Sequence, residues 1–139
     1  MTVFDTDILS LVFRGNLVYR RQFHAVPVAE RYVSVVNCEE VYRGRLNAIR
    51  QSDARKNLAE LIAAYDELRV TISQIGRFPV LPYNQQAHDL FTQWRAAKVR
   101  IGTQDLRIAA ICVAHDATLV SRNKRDFDKV SELKLSVWN

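Results

Sequence analysis

Three acidic residues stand far apart in this chain, each beside a short apolar or β-branched run. Asp5 follows Met1-Thr2-Val3-Phe4, Glu40 comes shortly after Val33-Ser34-Val35-Val36, and Asp105 closes Ile101-Gly102-Thr103-Gln104. Carboxylates delivered from separate strand ends to one place would suit a hard divalent cation, because Mg²⁺ and Mn²⁺ prefer carboxylate oxygens and retained waters. Such ions polarise phosphoryl oxygens, lower the pKa of a bound water and clamp an in-line displacement. No other set of residues offers as much. There is no Gly-x-x-x-x-Gly-Lys phosphate loop and no Gly-x-Ser-x-Gly elbow, and His24, His88 and His115 lack ligand spacing. Each acid also has a structural explanation: Glu40 and Asp105 are expected where a helix opens, and the macrodipole favours a negative side chain there.

The bulk properties fit a basic globular protein. A length of 139 residues is that of one domain, residues 1–139, able to bury a core, and 48% hydrophobic with 25% charged residues is ordinary globular composition. The net charge of +5 favours anionic partners. Arg43, Arg45, Arg50, Arg55 and Lys56 crowd one stretch. Guanidinium forks suit phosphate oxygens, although a solvated helix face is the alternative. No apolar run approaches the ~20 residues that span a bilayer, so a soluble, cytoplasmic protein without membrane contact is expected. Cys38 and Cys112 lie in apolar segments and read as small buried hydrophobes of a reducing compartment.

Positioning the acids requires short strands between helices. Strands are expected at Thr2–Phe4, Val33–Val36, Phe78–Leu81, Thr118–Val120 and Leu135–Val137, with Pro79 and Pro82 making the third short or an edge. Helices are expected over Ile8–Phe13, Leu17–Ala25 (stopped by Pro27) and Glu39–Ile49. The longest should start at Ser52 or Asp53 and bury a stripe through Leu58, Leu61, Ile62, Tyr65, Leu68, Ile72 and Ile75. Asn84 should cap a helix burying Ala87, Leu90, Phe91 and Trp94, and a last helix runs from about Asp105 to His115. Strands alternating with helices predict an α/β layered domain with a mainly parallel sheet, whose functional groups gather at strand carboxyl ends.

Several of these segments resemble one family. Phe4-Asp5-Thr6-Asp7-Ile8-Leu9 is similar to the opening of PIN domains, and Glu40-Val41-Tyr42-Arg43-Gly44 to their Glu-Leu-x-x-Gly element. Ile101 to Ala110 resembles the third element with its metal-facing aspartate, Leu119 to Phe127 the fourth, and Val130 to Trp138 the final strand and tryptophan. The ordered set spans nearly the whole chain and looks most like VapC-type toxins. The resemblance implies a PIN-like three-layer α/β domain, with a short central sheet flanked by helices, and a ribonuclease dependent on Mg²⁺ or Mn²⁺. It further implies the toxin of a toxin–antitoxin pair, with a cognate antitoxin as partner and a homodimeric state.

Carried over by position, Asp5, Glu40 and Asp105 match the principal metal-cluster acids, with Glu39 the adjacent competitor of Glu40. Asp7, where the family often has asparagine, is expected to cap the first helix or to support the site. Asn123 departs from the pattern, standing where many PIN domains carry a fourth aspartate. It can accept a hydrogen bond or ligate weakly but brings no charge. Asp126 is the candidate replacement, with a surface turn as its alternative. Thr6 and Ser121 are candidates to orient water or a ligand acid, or are simply turn hydroxyls. Arg43, Arg45, Lys98 and Arg100 are candidates to guide an RNA backbone. Two other functions compete: a catalytically weak PIN-like module that only binds RNA or protein, and a haloacid-dehalogenase-type phosphohydrolase using Asp5-Thr6-Asp7.

Overall fold

A computed structural model describes every residue, Met1–Asn139. Strands β1 (Thr2–Phe4), β2 (Arg31–Ser34), β3 (Val80–Leu81), β4 (Thr118–Ser121) and β5 (Lys134–Val137) form one sheet in the order β3-β2-β1-β4-β5. Every neighbouring pair is parallel, so each connection must cross over, and helices supply the crossovers. They are α1 (Thr6–Phe13), α2 (Leu17–Ala25), α3 (Val35–Ala54), α4 (Leu58–Ile75), α5 (Gln85–Ala96), α6 (Thr103–Ala114) and α7 (Lys124–Phe127). The chain leaves β1 towards β2 and β3, then returns to build β4 and β5 on its other side. The order therefore switches between β1 and β4, where open α/β sheets form a crevice beyond the strand carboxyl ends.

Alternation along the strands makes three layers. Val3 and Leu119 face a core with Trp94 of α5, Leu106 and Ile111 of α6, and Phe127 of α7. Phe4, Val33 and Val120 face the opposite core with Ile8 and Leu9 of α1, Phe23 of α2 and Ile75 of α4. Phe4 is wholly buried and packs against Phe23 and Trp138, with ring centroids 4.9 and 5.7 Å away. Truncating such a side chain to alanine costs ~3–5 kcal/mol, so the residue beside Asp5 anchors the strand that presents it.

The structure moves several boundaries. The second strand ends at Ser34 instead of Val36, and α3 starts at Val35 instead of Glu39, because Ser34 and Asn37 form a reciprocal capping box. That local bonding outweighs the β-branched preference of Val35 and Val36. α3 consequently runs to Ala54 and, at 20 residues, is the longest helix. Asn57, rather than Ser52 or Asp53, caps α4. The third strand shrinks to Val80–Leu81 and lies at the sheet edge, as Pro79 and Pro82 required. The buried stripe of α4 is the largest correction. Ile75 is buried, but Leu58, Ile62, Tyr65 and Ile72 are exposed, because α4 packs chiefly on α3 in a helical hairpin and only its last turn reaches the core under the sheet. No helix is long and apolar enough to cross a membrane.

Candidate active site

β1 hands Asp5 to the crevice. Its backbone N–H still donates to the Val120 carbonyl at 2.9 Å, extending the β1–β4 ladder by one residue. Its side chain caps α1, with Oδ1 accepting from the Thr6 N–H at 2.8 Å, while Oδ2 accepts from the Ser121 hydroxyl at 2.7 Å. Asp5, not Asp7, is therefore the helix cap, and Asp7 is an exposed residue of the first turn. Burial pushes the Asp5 carboxyl up; the Ser121 and Thr6 hydrogen bonds oppose that, and Asp7 adds repulsion. Ser121, at the end of β4, is wholly buried. Its oxygen accepts from the Asn123 N–H at 3.0 Å while its O–H serves Asp5, so it holds one carboxylate oxygen in place.

Glu40 lies in the second turn of α3, not the opening one, so the macrodipole does not account for it. Its Oε1 accepts from the Thr6 hydroxyl at 2.7 Å, and that hydroxyl accepts from Asn37 Nδ2 at 3.2 Å. Asn37 is completely buried, and its Oδ1 also accepts from the Ser34 N–H and hydroxyl, at 3.0 and 2.7 Å. The ends of β1 and β2 are thereby joined through side chains, with Glu40 at the outer end of the chain. Burial raises the Glu40 pKa, Thr6 lowers it, and Asp5, Asp7 and Glu39 raise it further.

Asp105 enters from the other side of the crevice, in the first turn of α6, whose N-cap Gly102 offers no side-chain bond. Burial, then repulsion from Asp5, Glu40, Asp126 and Asp7, pushes its carboxyl from 3.8 up to about 6, and no hydrogen bond holds it down. The helix N-terminus alone would stabilise the anion, so burial and then neighbouring negative charge together outweigh the dipole. The three acids thus feel one another across the crevice.

A resident divalent ion can be weighed against this donor set. None of the protein's ion pairs uses Asp5, Glu40 or Asp105, so their charge is uncompensated, and hard oxygen donors of this kind fit Mg²⁺ or Mn²⁺. No group of three acidic, histidine or cysteine side chains stands close enough together to grip an ion; the arrangement is a mutually repelled set. Asn123 and Asp126 are engaged with each other at its border. Asn123 caps α7, its Nδ2 donates to Asp126 Oδ2 at 3.1 Å, and Lys129 sits 3.5 Å from Asp126 Oδ1. The Asn123 bond, together with Lys129, lowers the Asp126 pKa.

The remaining predicted residues are dispersed. Glu39 points away from the crevice acids, accepting from Gln104 Nε2 at 2.6 Å and pairing with Arg43 at 2.6 Å. Arg45 is tied to α4, donating to the Thr71 hydroxyl at 2.8 Å and lying 3.4 Å from Glu67. Lys98 and Arg100 are exposed on the loop before α6, Lys98 in a left-handed conformation with φ 62°.

Three supporting residues went unrecognised in the sequence. Asn37 was legible, since Ser34-x-x-Asn37 has the spacing of a capping box at a strand–helix junction. Gln104 links α6 to α3 through Glu39, and Arg107 supports it at 2.9 Å. Arg95 had no local signal. It donates to the Val99 and Ile101 carbonyls at 3.2 and 3.0 Å and to the Thr103 hydroxyl at 3.1 Å, fixing the loop that delivers Asp105.

Comparison with known proteins agrees with this fold. The chain is 26% identical over 133 residues to Ribonuclease VapC1 of Rickettsia felis, covering 96% of this chain and 92% of that protein. Its fold matches the crystal structure of FitAcB from Neisseria gonorrhoeae with a TM-score of 0.78 at 21% identity, over 100% of this chain and 97% of that one. It also matches DNA-bound VapBC from Salmonella typhimurium with a TM-score of 0.75 at 21% identity, over 99% and 98% of the two chains. Residues 2–133 match the PIN domain. With nearly its whole length matched, and its acids gathered beyond the switch point of a parallel sheet, this chain belongs to the PIN-domain family.

Proposed function

We propose that this protein is a Mg²⁺- or Mn²⁺-dependent endoribonuclease and the toxin of a toxin–antitoxin pair. The observation that carries the reading is the uncompensated carboxylate set, in which Asp105 is driven to about 6 by burial and by Asp5 and Glu40. Asp5, Glu40 and Asp105 would hold the cation, with Asp126 and Asn123 at the border of the site. When bound, the cation supplies a polarised phosphoryl group, an activated water and charge neutralisation. The chain's own residues do the positioning. Ser121 fixes one oxygen of Asp5, Thr6 fixes one oxygen of Glu40, and Arg95 holds the loop that sets Asp105. Asp7 adds negative charge at the rim, and Arg43, Arg45, Lys98 and Arg100 are the proposed guides for the RNA backbone.

Likeness to Ribonuclease VapC1 supports RNA as the substrate; in-line attack by water would leave a 5′-phosphate and a 3′-hydroxyl. The toxin role brings a cytoplasmic setting, a homodimer and an antitoxin that lays a helix in an apolar groove and offers a cation to the acids. Membership of the PIN family displaces the dehalogenase reading of Asp5-Thr6-Asp7, in which Asp7 would be the acid/base. A binding module without cleavage is the second reading. It rests on Asn123, whose neutral amide is spent on capping α7 and on Asp126.

Mixed tRNA, rRNA and mRNA, incubated with wild-type and Asp5→Asn protein in Mn²⁺, Mg²⁺ or EDTA and mapped for cut ends, decides between them. Cation-dependent cuts by the wild type, and none by a folded Asp5→Asn variant, are expected. Full cleavage by that variant sinks the assignment. An inert wild type that binds RNA but has little Mn²⁺ affinity supports the module.

A further inference from the structure

Arg122 stands between Ser121, whose hydroxyl clasps Asp5, and Asn123, which caps α7. The backbone is fixed on both sides of it. The Ser121 carbonyl accepts from the Trp138 N–H at 3.1 Å, the Arg122 carbonyl accepts from the Lys124 N–H at 3.0 Å, and the Asn123 N–H donates to Ser121 Oγ at 3.0 Å. Arg122 therefore leaves the carboxyl end of β4 at a determined place, beside the switch point where the acids gather.

Its side chain is exposed, and the guanidinium lies 5.9 Å from the Tyr19 ring centroid, within the ~6 Å range of cation–π attraction. Tyr19 is buried in the core that holds Phe4 and Phe23, and its N–H donates to Asn16 Oδ1 at 3.3 Å, so the ring is a rigid rest. No ion pair uses Arg122, whereas Arg43 of α3 is paired with Glu39, and Lys124 and Lys129 around α7 with Asp128 and Asp126. An arginine beside uncompensated carboxylates would be expected to fold onto them. This one does not: burial, hydrogen bonds and Asp7 act on the Asp5 carboxyl, and no cation does. Resting on Tyr19, the guanidinium stays on the α2 side of the crevice, and α6 with Asp105 packs on the opposite face of the sheet. An unspent guanidinium fork at the lip of this site matches phosphate oxygens.

We propose that Arg122 is a substrate-binding residue, its guanidinium taking an RNA phosphate that flanks the scissile one on the α2 side of the crevice. The inference rests on the ribonuclease reading of the acids and adds a contact that fixes where the strand lies. A contact to a phosphate that does not react is made equally before and during the reaction. It should therefore govern KM and leave kcat nearly alone.

The test is fluorescence anisotropy of a labelled single-stranded RNA in EDTA, from 50 to 200 mM salt, with wild type, Arg122→Ala and Arg122→Lys. The exposed side chain allows both substitutions without disturbing the fold. Arg122→Ala should lose ~10-fold in affinity, the scale of one charged contact, and its log–log salt slope should be shallower by ~0.7. Arg122→Lys should keep the slope and lose part of the affinity, since it keeps the charge without the fork. On an RNA that the wild type cuts in Mn²⁺, Arg122→Ala should raise KM by a similar factor and hold kcat within about twofold. Mn²⁺ affinity and Tm should match wild type. An unchanged salt slope in Arg122→Ala overturns the proposal, as does a wild type that binds no RNA. Weaker Mn²⁺ binding with RNA affinity intact would make Arg122 a strut of the Ser121–Asn123 turn and also overturns it. A wild type that cuts nothing, but whose salt slope still falls in Arg122→Ala, refutes the catalytic reading and leaves the phosphate contact standing.

Discussion

Asp105→Asn should make the protein more stable while removing a residue proposed to hold the cation. The Asp105 carboxyl is raised from 3.8 to about 6, by burial first and then by Asp5 and Glu40. In that interval the folded chain binds more protons than the unfolded one, so stability falls as pH rises from about 4 to about 6. The destabilisation is complete above that window and absent well below it. Two units at 1.36 kcal/mol each bound the effect at ~3 kcal/mol, and screening at a partly exposed group brings it to ~1–1.5 kcal/mol. For a chain of this size the gain on neutralising Asp105 is a rise of roughly 3–6 °C in Tm. Thermal unfolding followed by circular dichroism in EDTA at pH 8 measures it directly, and at pH 4.5 only about a third of the gain should remain. Added Mn²⁺ should then raise the wild-type Tm more than that of the variant. A variant no more stable than wild type at pH 8, or a gain that persists unchanged at pH 4.5, would refute the repulsion argument.

Asn37→Ala should cost ~2–3 kcal/mol in urea unfolding, because it strips partners from the Ser34 N–H and the Thr6 hydroxyl at a fully buried site; a loss under ~0.5 kcal/mol would show the network to be dispensable. Arg95→Ala releases three hydrogen bonds from residues 99–103. Faster amide exchange there and weaker Mn²⁺ binding, with α1 unchanged, are the expected pair of results, and unchanged exchange would dismiss Arg95 as a positioning residue. RNA affinity should fall steeply as salt is raised from 50 to 200 mM, with a shallower log–log slope for Lys98→Ala with Arg100→Ala. An identical slope would remove both from the RNA path.

The parts of the fold legible in the sequence were those governed by local rules. α2 matches residue for residue because Asn16 caps it and Pro27 follows it, and Asn84 caps α5 as its position suggested. The alternation of strand and helix was enough to give a parallel sheet. The errors arose where a distant partner decided the outcome. Val35 and Val36 look like strand, yet the bonds between Ser34 and Asn37 begin a helix there. The stripe on α4 has helical period, but period cannot say what lies opposite, and along most of α4 that is chiefly α3, with Ile75 at its end reaching the core. In the site, Asp5 and Glu40 could be named from spacing, whereas Arg95 could not, since its partners are backbone carbonyls that any sequence would provide.

The hydrogen bonds around the acids are unequal, and that has a mechanical consequence. Asp5 is clasped by Ser121 at the end of β4, and Glu40 by Thr6 at the start of α1. Asp105 has no such clasp and rides on α6, which is tethered to α3 at the rim by Gln104 and Glu39. Two of the acids are therefore held by side-chain hydrogen bonds of their own, and the third is placed by its helix and by the loop that Arg95 holds. A substitution at the exposed tether therefore reaches Asp105 only through α6, whose Leu106, Ile108 and Ile111 are wholly buried in the core, so the spacing of the acids is coupled to the packing of that core.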